Sequence, residues 1–328
     1  MVGSRIFPTN RSHFAVKCEV TFFVMLIKFA IDDFLDDRKY NNVTENTLTT
    51  YHYYLKEFKE FCQENEIVNV EDISPNLVKN FLISCQKKGN NATSINSKLA
   101  RIRAFLNYMV ECDVIKENPA KKVKKAKTDV KIDVFTDQQI KQMLSYYRRI
   151  KQREKSLFAY RDYTLIVTLL GTGLRLQEVV NLKWSDLDFE NYTLTVFGKN
   201  RKREMIPITE KLVKELLAYQ VFLKGYFKDK QIEYVFTNIK GKQMTKNAVQ
   251  SIFKRLSKIM NFKNVRLSCH TFRHTFCQKL AMSGMSAFAI QKLMRHQDIS
   301  VTMKYVAMWG NDLKEQNDKY NPLNKLEF

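Results

Sequence analysis

The chain has 328 residues, which suits two domains of ordinary size better than one, and its 45% hydrophobic and 12% aromatic content supplies enough apolar surface for real cores, excluding wholesale disorder. Lys and Arg number 55 against 34 Asp and Glu, a formal net charge of +21. Such a surplus attracts polyanions, but it does not by itself separate DNA from RNA or from an anionic membrane, and a merely soluble basic protein stays open. Cys18, Cys62, Cys85, Cys112, Cys269 and Cys277 are scattered with no C-x-x-C pair, so no disulfide framework is implied and the expected setting is cytoplasmic.

Val20 to Ala30, VTFFVMLIKFA, is the one segment with a targeting composition. It is short, Lys28 interrupts it, and Asp32, Asp33, Asp36 and Asp37 follow at once, whereas a bilayer span needs about 20 apolar residues. It reads as the buried face of a first helix, so no membrane association is expected. Residues 1–24 carry no periodic pattern and precede an internal Met25, which marks them as a flexible extension or a mis-assigned start. Tyr51, Tyr54, Leu55, Phe58, Phe61 and Cys62 then recur at helical spacing on one face. Ser74-Pro75 is an N-cap followed by proline in the first turn of a helix, Asn76 to Lys88, that runs into Gly89. Ile95, Leu99, Ile102, Leu106 and Met109 form a further apolar stripe, with Lys98, Arg101 and Arg103 read as a cationic side off it. Residues 25–117 therefore form a small all-α domain.

Asn118-Pro119 stops the last of these helices, and residues 118–132 read as an extended basic linker carrying Lys121, Lys122, Lys124, Lys125, Lys127 and Lys131. A charge run is often only solvated; beside two domains it fits a strap along a phosphate backbone. Residues 133–328 are mixed. Thr136 and Gln139 match the capping box of a new helix, and Asp162 to Leu170 is a buried-looking run ending at Gly171-Thr172-Gly173. Leu174 to Leu182 starts the next helix. Thr193 to Phe197 and Glu204 to Ile208 form a hairpin whose tip, 198–203, is strongly basic, and helices follow at 211–223, 246–260, 271–282 and 287–294.

At this point TGLRLQEVVNLKWSDL (172–187), FGKNRKREMIPI (197–208), HTFRHTF (270–276), LMRHQD (293–298) and Tyr305 stand in order, with steps of 24 from Arg175 to Lys199, 3 from His270 to Arg273, 23 from Arg273 to His296 and 9 from His296 to Tyr305. The set resembles the signature boxes of the tyrosine recombinase (phage integrase) family, simple two-domain type. NTLTTYHYYLKEFKEF (46–61) is similar to that family's core-binding domain, so the resemblance spans about residues 26–320. It implies a mainly α fold: an all-α SAM-like core-binding domain, then a mixed α+β catalytic domain with a small antiparallel β-sheet, the two closing as a C-shaped clamp on double-stranded DNA.

The chemistry needs a nucleophile, positive charge at the phosphoryl oxygens and a proton for the leaving alkoxide. A tyrosine with an ordinary pKa of about 10 is a poor nucleophile without cationic help. By resemblance, Arg175 and Arg273 bind the non-bridging oxygens, His296 donates to the same phosphate, His270 handles the tyrosine proton, and Lys199 protonates the leaving 5′-oxygen. Glu178 orients the arginine or a histidine. The product is a 3′-phosphotyrosine at Tyr305 that needs neither ATP, cofactor nor metal. Arg201, Lys202 and Arg203 add DNA contacts, and a neighbour of Lys199 could do its work.

Read alone, each residue has a plainer account: Arg175 as a surface ion-pair partner, Tyr305 as a half-buried aromatic. His274 reads as packing or hydrogen-bonding rather than reacting. Cys269, His270, His274 and Cys277 raise a zinc option, against which stand the missing H-E-x-x-H glutamate and the neighbouring arginine. Two positions depart from the family pattern: Arg295 stands where glycine is usual before the second histidine, with a further phosphate contact as its expected use, and Asn200 stands where a glycine often does. The resemblance implies a homo-tetramer on two DNA sites, joined by a tail from Val306 to Phe328, in integration or transposition of a mobile element or in resolution of DNA dimers. A DNA-relaxing type IB topoisomerase, a non-catalytic DNA-binding regulator and an RNA-binding protein are the competing classes.

Overall fold

The computed structural model describes residues 24–128, 132–198, 203–228, 230–310, 317–319, 321 and 324. The chain divides into two compact units, Met1–Val130 and Lys131–Phe328. Among the described residues, no helix is long and apolar enough to cross a membrane.

Among the described residues, the first unit holds four α-helices: α1 (Ile27–Tyr40), α2 (Glu45–Glu64), α3 (Pro75–Lys87) and α4 (Ala92–Glu111). Residues 20–23 of the expected apolar face lie outside the described residues; Val24 and Leu26 are exposed, and the buried face begins with α1, where Ile27, Ala30, Ile31 and Phe34 are buried. Phe34 meets Tyr51 of α2 edge-on, with ring centroids 5.1 Å apart, and Phe58 meets Phe81 of α3 at 5.2 Å. Burial of each such ring contributes about 1.5–3 kcal/mol, so these contacts set how the helices pack. The Ser74 hydroxyl accepts from Leu77 N at 3.1 Å, capping α3 as its sequence requires.

Lys98 corrects the sequence reading. It stands at i+3 from Ile95 and i−4 from Ile102, hence on the apolar stripe itself. Its side chain is only 4% exposed; Nζ pairs with Glu57 Oε1 at 2.7 Å and donates to Cys85 Sγ at 3.3 Å. It is a core cation with no face free for DNA. The linker is corrected as well. Pro119–Lys122 forms one 3-10 turn, Ala120 and Val123 are buried in the helical core, and the Asn96 side chain exchanges two 2.8 Å hydrogen bonds with the Ala126 backbone. Arg103, two turns beyond Asn96 on the same face of α4, donates Nε to Ala120 O at 3.0 Å and Nη2 to Val123 O. Arg103 therefore fastens the linker instead of presenting itself to solvent. Lys121, Lys122, Lys124, Lys125 and Lys127 remain exposed, Lys122 paired with Glu117 at 2.6 Å. Arg101 is half-buried.

The second unit contains α5 (Asp137–Glu154), α6 (Leu157–Thr172) and α7 (Leu176–Asn181), then β1 (Leu187–Asp188), β2 (Thr193–Phe197) and β3 (Arg203–Pro207). It ends with α8 (Glu210–Tyr226), α9 (Lys246–Met260), α10 (Cys269–Met282), α11 (Ala287–Met294) and α12 (Ile299–Trp309). The Thr136–Gln139 capping box opens α5, with 3.2 and 3.0 Å bonds. α6 is the central helix, its Leu165, Ile166 and Leu169 wholly buried. The sheet is antiparallel in the order β1-β2-β3, and Leu194 pairs with Ile206 so that both enter the core. The expected hairpin is present with its second strand one residue earlier, while β1 and α12 had no sequence forecast. Mainly α, with one small antiparallel sheet confined to the second unit, is the fold class expected from the sequence.

Candidate active site

The site grows from helix ends. α6 stops at Gly173, whose φ of 59° is left-handed and whose place for a Cβ lies 2.6 Å from Phe276 Cδ1, so only glycine fits without displacement. That stop turns the chain so that Arg175 becomes the N-cap of α7. Glu178, in the first turn of α7, reaches back with Oε2 to Arg175 N and with Oε1 to Arg175 Nη1, both at 2.7 Å. α10 supplies Arg273, buried, with Nη1 donating to Gly173 O at 2.7 Å and Nη2 to Met294 O. α11 ends in the left-handed Arg295, φ 53°, whose carbonyl accepts from Arg175 Nη2 at 2.7 Å. The carbonyl-rich C-terminal ends of α6 and α11 thus face three guanidiniums, the electrostatically favoured arrangement.

The next residue, His296, holds Nδ1 at 2.8 Å from Thr302 Oγ1 on α12. One turn further, Tyr305 is 4% exposed and its ring lies 6.3 Å from that of His296. His274 Nδ1 is hydrogen-bonded to the Tyr305 hydroxyl, and His270, one turn earlier on α10, meets His274 edge-on with ring centroids 6.0 Å apart. Cys277, Ala281, Ile290, Met294 and Tyr305 share one small apolar cluster, which ties α10, α11 and α12 together beneath the polar groups.

Electrostatics follow from this crowding. Burial, then repulsion from Arg175 and Arg295, pushes Arg273 down to about 9, still charged at neutral pH. Burial and the three arginines push His296 down to about 4, so its imidazole is neutral. His270 and His274 are also lowered, first by burial, then by neighbouring positive charge. Burial works to raise Glu178, but Arg295 and the bonds from Arg175 outweigh it and hold the carboxyl below its ordinary range. The Tyr305 phenol is raised to about 12, by burial and then Cys277, against the pull of Arg273.

Of the residues singled out in sequence, Arg175, Glu178, Arg273, His296 and Tyr305 converge, with His270 beside them through His274. Lys199, Arg201 and Lys202 lie outside the described residues; Arg203 is exposed on β3, its guanidinium 5.0 Å from the Phe197 ring centroid. Arg295 makes no open phosphate contact: its side chain is 2% exposed and its Nη2 bonds Glu178 Oε2 at 2.8 Å. Sequence reasoning left aside His274, which hydrogen-bonds the tyrosine, and missed Thr302. Thr302 stands three residues before Tyr305 on one face of α12, a spacing that could have exposed it. Among the described residues, no group of three or more His, Cys, Asp or Glu is arranged to hold a metal ion. Val306 and Trp309 pack on the apolar cluster as part of α12, so the start of the expected docking tail is occupied within its own unit.

The phage integrase family profile matches residues 133–309, and that of the phage integrase N-terminal SAM-like domain matches residues 31–111. The chain belongs to the phage integrase family, the tyrosine recombinases. Tyrosine recombinase XerC of Leptospira interrogans (serogroup Icterohaemorrhagiae serovar copenhageni) is 29% identical over 282 residues, 86% of this chain and 89% of the relative. Tyrosine recombinase XerD of Staphylococcus haemolyticus is 26% identical, over 85% of this chain and 94% of the relative. In fold, the chain is similar to the Tn1549 transposon integrase in complex with a circular intermediate DNA, with a TM-score of 0.74 at 22% identity over 92% of this chain and 100% of the other. It is also similar to a lambda integrase dimer bound to a COC′ core site, with a TM-score of 0.67 at 17% identity over 93% and 81%.

Proposed function

We propose that this chain cuts and rejoins duplex DNA at defined sites, with Tyr305 as the nucleophile. The observation that carries the reading is the hydrogen bond between the Tyr305 hydroxyl and His274, formed next to the anchored guanidinium of Arg273. With its pKa raised to about 12, the phenol keeps its proton in the free protein. Attack therefore needs a base that removes the proton as the new bond forms. His274 is in contact and, with its pKa lowered, is available as a neutral acceptor; His270 is the next acceptor along α10.

Arg175 and Arg273 each use two N–H donors on their anchors, and their remaining donors bind the non-bridging oxygens of the scissile phosphate. With the Thr302 hydroxyl donating to Nδ1, His296 keeps its proton on Nε2 and donates it to the same phosphate. The bond from Tyr305 oxygen to phosphorus forms, the bond to the 5′-oxygen breaks, and Lys199 protonates that oxygen. The ester bond survives as a 3′-phosphotyrosine, so attack by a 5′-hydroxyl reseals the strand without ATP. Arg101, Lys121, Lys122, Lys124, Lys125, Lys127, Arg201, Lys202 and Arg203 supply phosphate-backbone contacts. The domain limits that go with this reading are a helical DNA-binding domain at 25–117, a linker at 118–132 and a catalytic domain from 133 onward.

Exchange between two duplexes uses a homo-tetramer whose protomers are joined by the segment after Gly310. Truncation at Asn311 is expected to leave DNA binding nearly intact and to abolish exchange; unaltered exchange would reject that assembly. The decisive assay is a nicked suicide substrate. A covalent protein–DNA band is expected from the parent chain and none from Tyr305→Phe. Scoring strand exchange between two DNAs against relaxation of a supercoiled circle then separates a recombinase from a topoisomerase.

A further inference from the structure

We infer that Arg295 is a positioning residue: it fixes Glu178 and, through it and through its own carbonyl, aims the Arg175 guanidinium at the phosphate. The inference rests on the reading of Arg175 as a phosphate-binding arginine.

Three features of Arg295 are unfavourable by themselves. Its φ of 53° is a conformation that a residue with a Cβ adopts reluctantly. Its guanidinium is withdrawn from water, the side chain being 2% exposed. Its Nε has no hydrogen-bond partner among the described residues. Glycine would remove all three, so their coexistence points to a compensating contact. That contact is Glu178. Oε2 accepts from Arg295 Nη2 at 2.8 Å and from Arg175 N at 2.7 Å, while Oε1 accepts from Arg175 Nη1 at 2.7 Å. On the other side, Arg295 O accepts from Arg175 Nη2 at 2.7 Å. Both terminal nitrogens of Arg175 are thus held by groups that Arg295 itself sets. A second bond, from Nη1 to Leu293 O at 2.8 Å, ties the Arg295 side chain back to its own helix end.

Charge gives the same answer. Glu178 alone would cancel Arg175 and leave the pair neutral toward a phosphate. Arg295 balances Glu178 from behind, so the pair can orient Arg175 while its positive charge remains available to the anion. Charged groups face Glu178 from several elements: Arg175 at the head of α7, Arg295 after α11 and Arg273 on α10, with Asp186 across a small cleft. Glu204 of β3 acts in turn on Arg295.

Arg295→Gly is the natural test because glycine suits the left-handed turn. The variant should stay folded by circular dichroism and bind DNA near parental affinity, yet cleave a suicide substrate at least about tenfold more slowly. Its rate should also fall at a higher pH on the acid side than the parent's, because a buried Glu178 without Arg295 protonates more readily. Adding Glu178→Gln should erase that acid limb, and Arg295→Lys, which restores the charge without the fork, should return the limb toward the parental pH with only part of the rate. If glycine loosens the fold, Arg295→Asn, tolerant of the same φ, carries the same expectations. Parental rate and pH profile in Arg295→Gly overturn the inference, and so does a slower rate with an unmoved acid limb. If Tyr305→Phe abolishes the covalent band while Arg295→Gly is normal, only this inference falls; a band persisting in Tyr305→Phe overturns the underlying reading with it.

Discussion

Both units bury basic side chains, and Lys98 of the first and the arginines of the candidate active site do so to opposite ends, while Arg161, paired with the buried Asp162 in the second unit, follows Lys98. In the helical unit, Lys98 meets one carboxylate, Glu57, and one thiol, Cys85, so the charge is neutralised where it lies. In the second unit, Arg175 and Arg295 bond a single carboxylate, Glu178, Arg273 bonds none, and all three otherwise rely on the carbonyls of Gly173, Leu293, Met294 and Arg295. Neutral carbonyls orient a cation without cancelling it. A balanced buried charge is architecture, and an unbalanced one is an anion site.

That contrast can be broken by experiment. Arg273→Lys keeps the charge but loses the fork bridging Gly173 and Met294; cleavage of a suicide substrate should drop on the order of 10²–10³-fold with the fold intact, and a loss below about threefold would count against the clamp. Lys98→Met should do the reverse. Urea unfolding should show the helical unit changed by about 1–3 kcal/mol, with DNA affinity and cleavage unchanged; weaker DNA binding by the folded variant would return Lys98 to the interface. Acid should act on the second unit first. His296 titrates near 4 when folded against about 6.5 unfolded, so the unfolded chain binds the extra proton between those values, and stability falls as pH drops from about 6.5 toward 4. Urea midpoints across this range should slope less in His296→Gln. The smallest effect belongs to the exposed linker: Lys124→Gln with Lys125→Gln should lower the slope of log affinity against log salt by at most about 2, equally for any DNA sequence.

Much of this was legible in the residues. Ser74, Thr136 and Gly173 mark helix ends because their caps and turns are local. The boxes around Arg175, Arg273, His296 and Tyr305 brought the site into view because their spacing resembles a family. Lys98 was misread because its charge outweighed its position; the i+3 step from Ile95 placed it inside the stripe all along. The linker hid its docking because Asn96 and Arg103 hold it through main-chain atoms of Ala120, Val123 and Ala126, which leave no mark in side-chain pattern. Arg295 was expected to face the phosphate, since a sequence shows a cation but not the buried carboxylate 117 positions away.

The carbonyl anchors at Gly173 and Met294 carry a consequence for how such a site tolerates drift. Main-chain oxygens are present whatever the side chain, so no ordinary replacement at Met294 deletes its grip on Arg273. What can dislodge them is a shift of the helix terminus itself: a proline, an inserted residue, or a methyl group at position 173 colliding with Phe276. The candidate active site should accordingly tolerate much substitution around it and almost no change in the length of the turns that close α6 and α11.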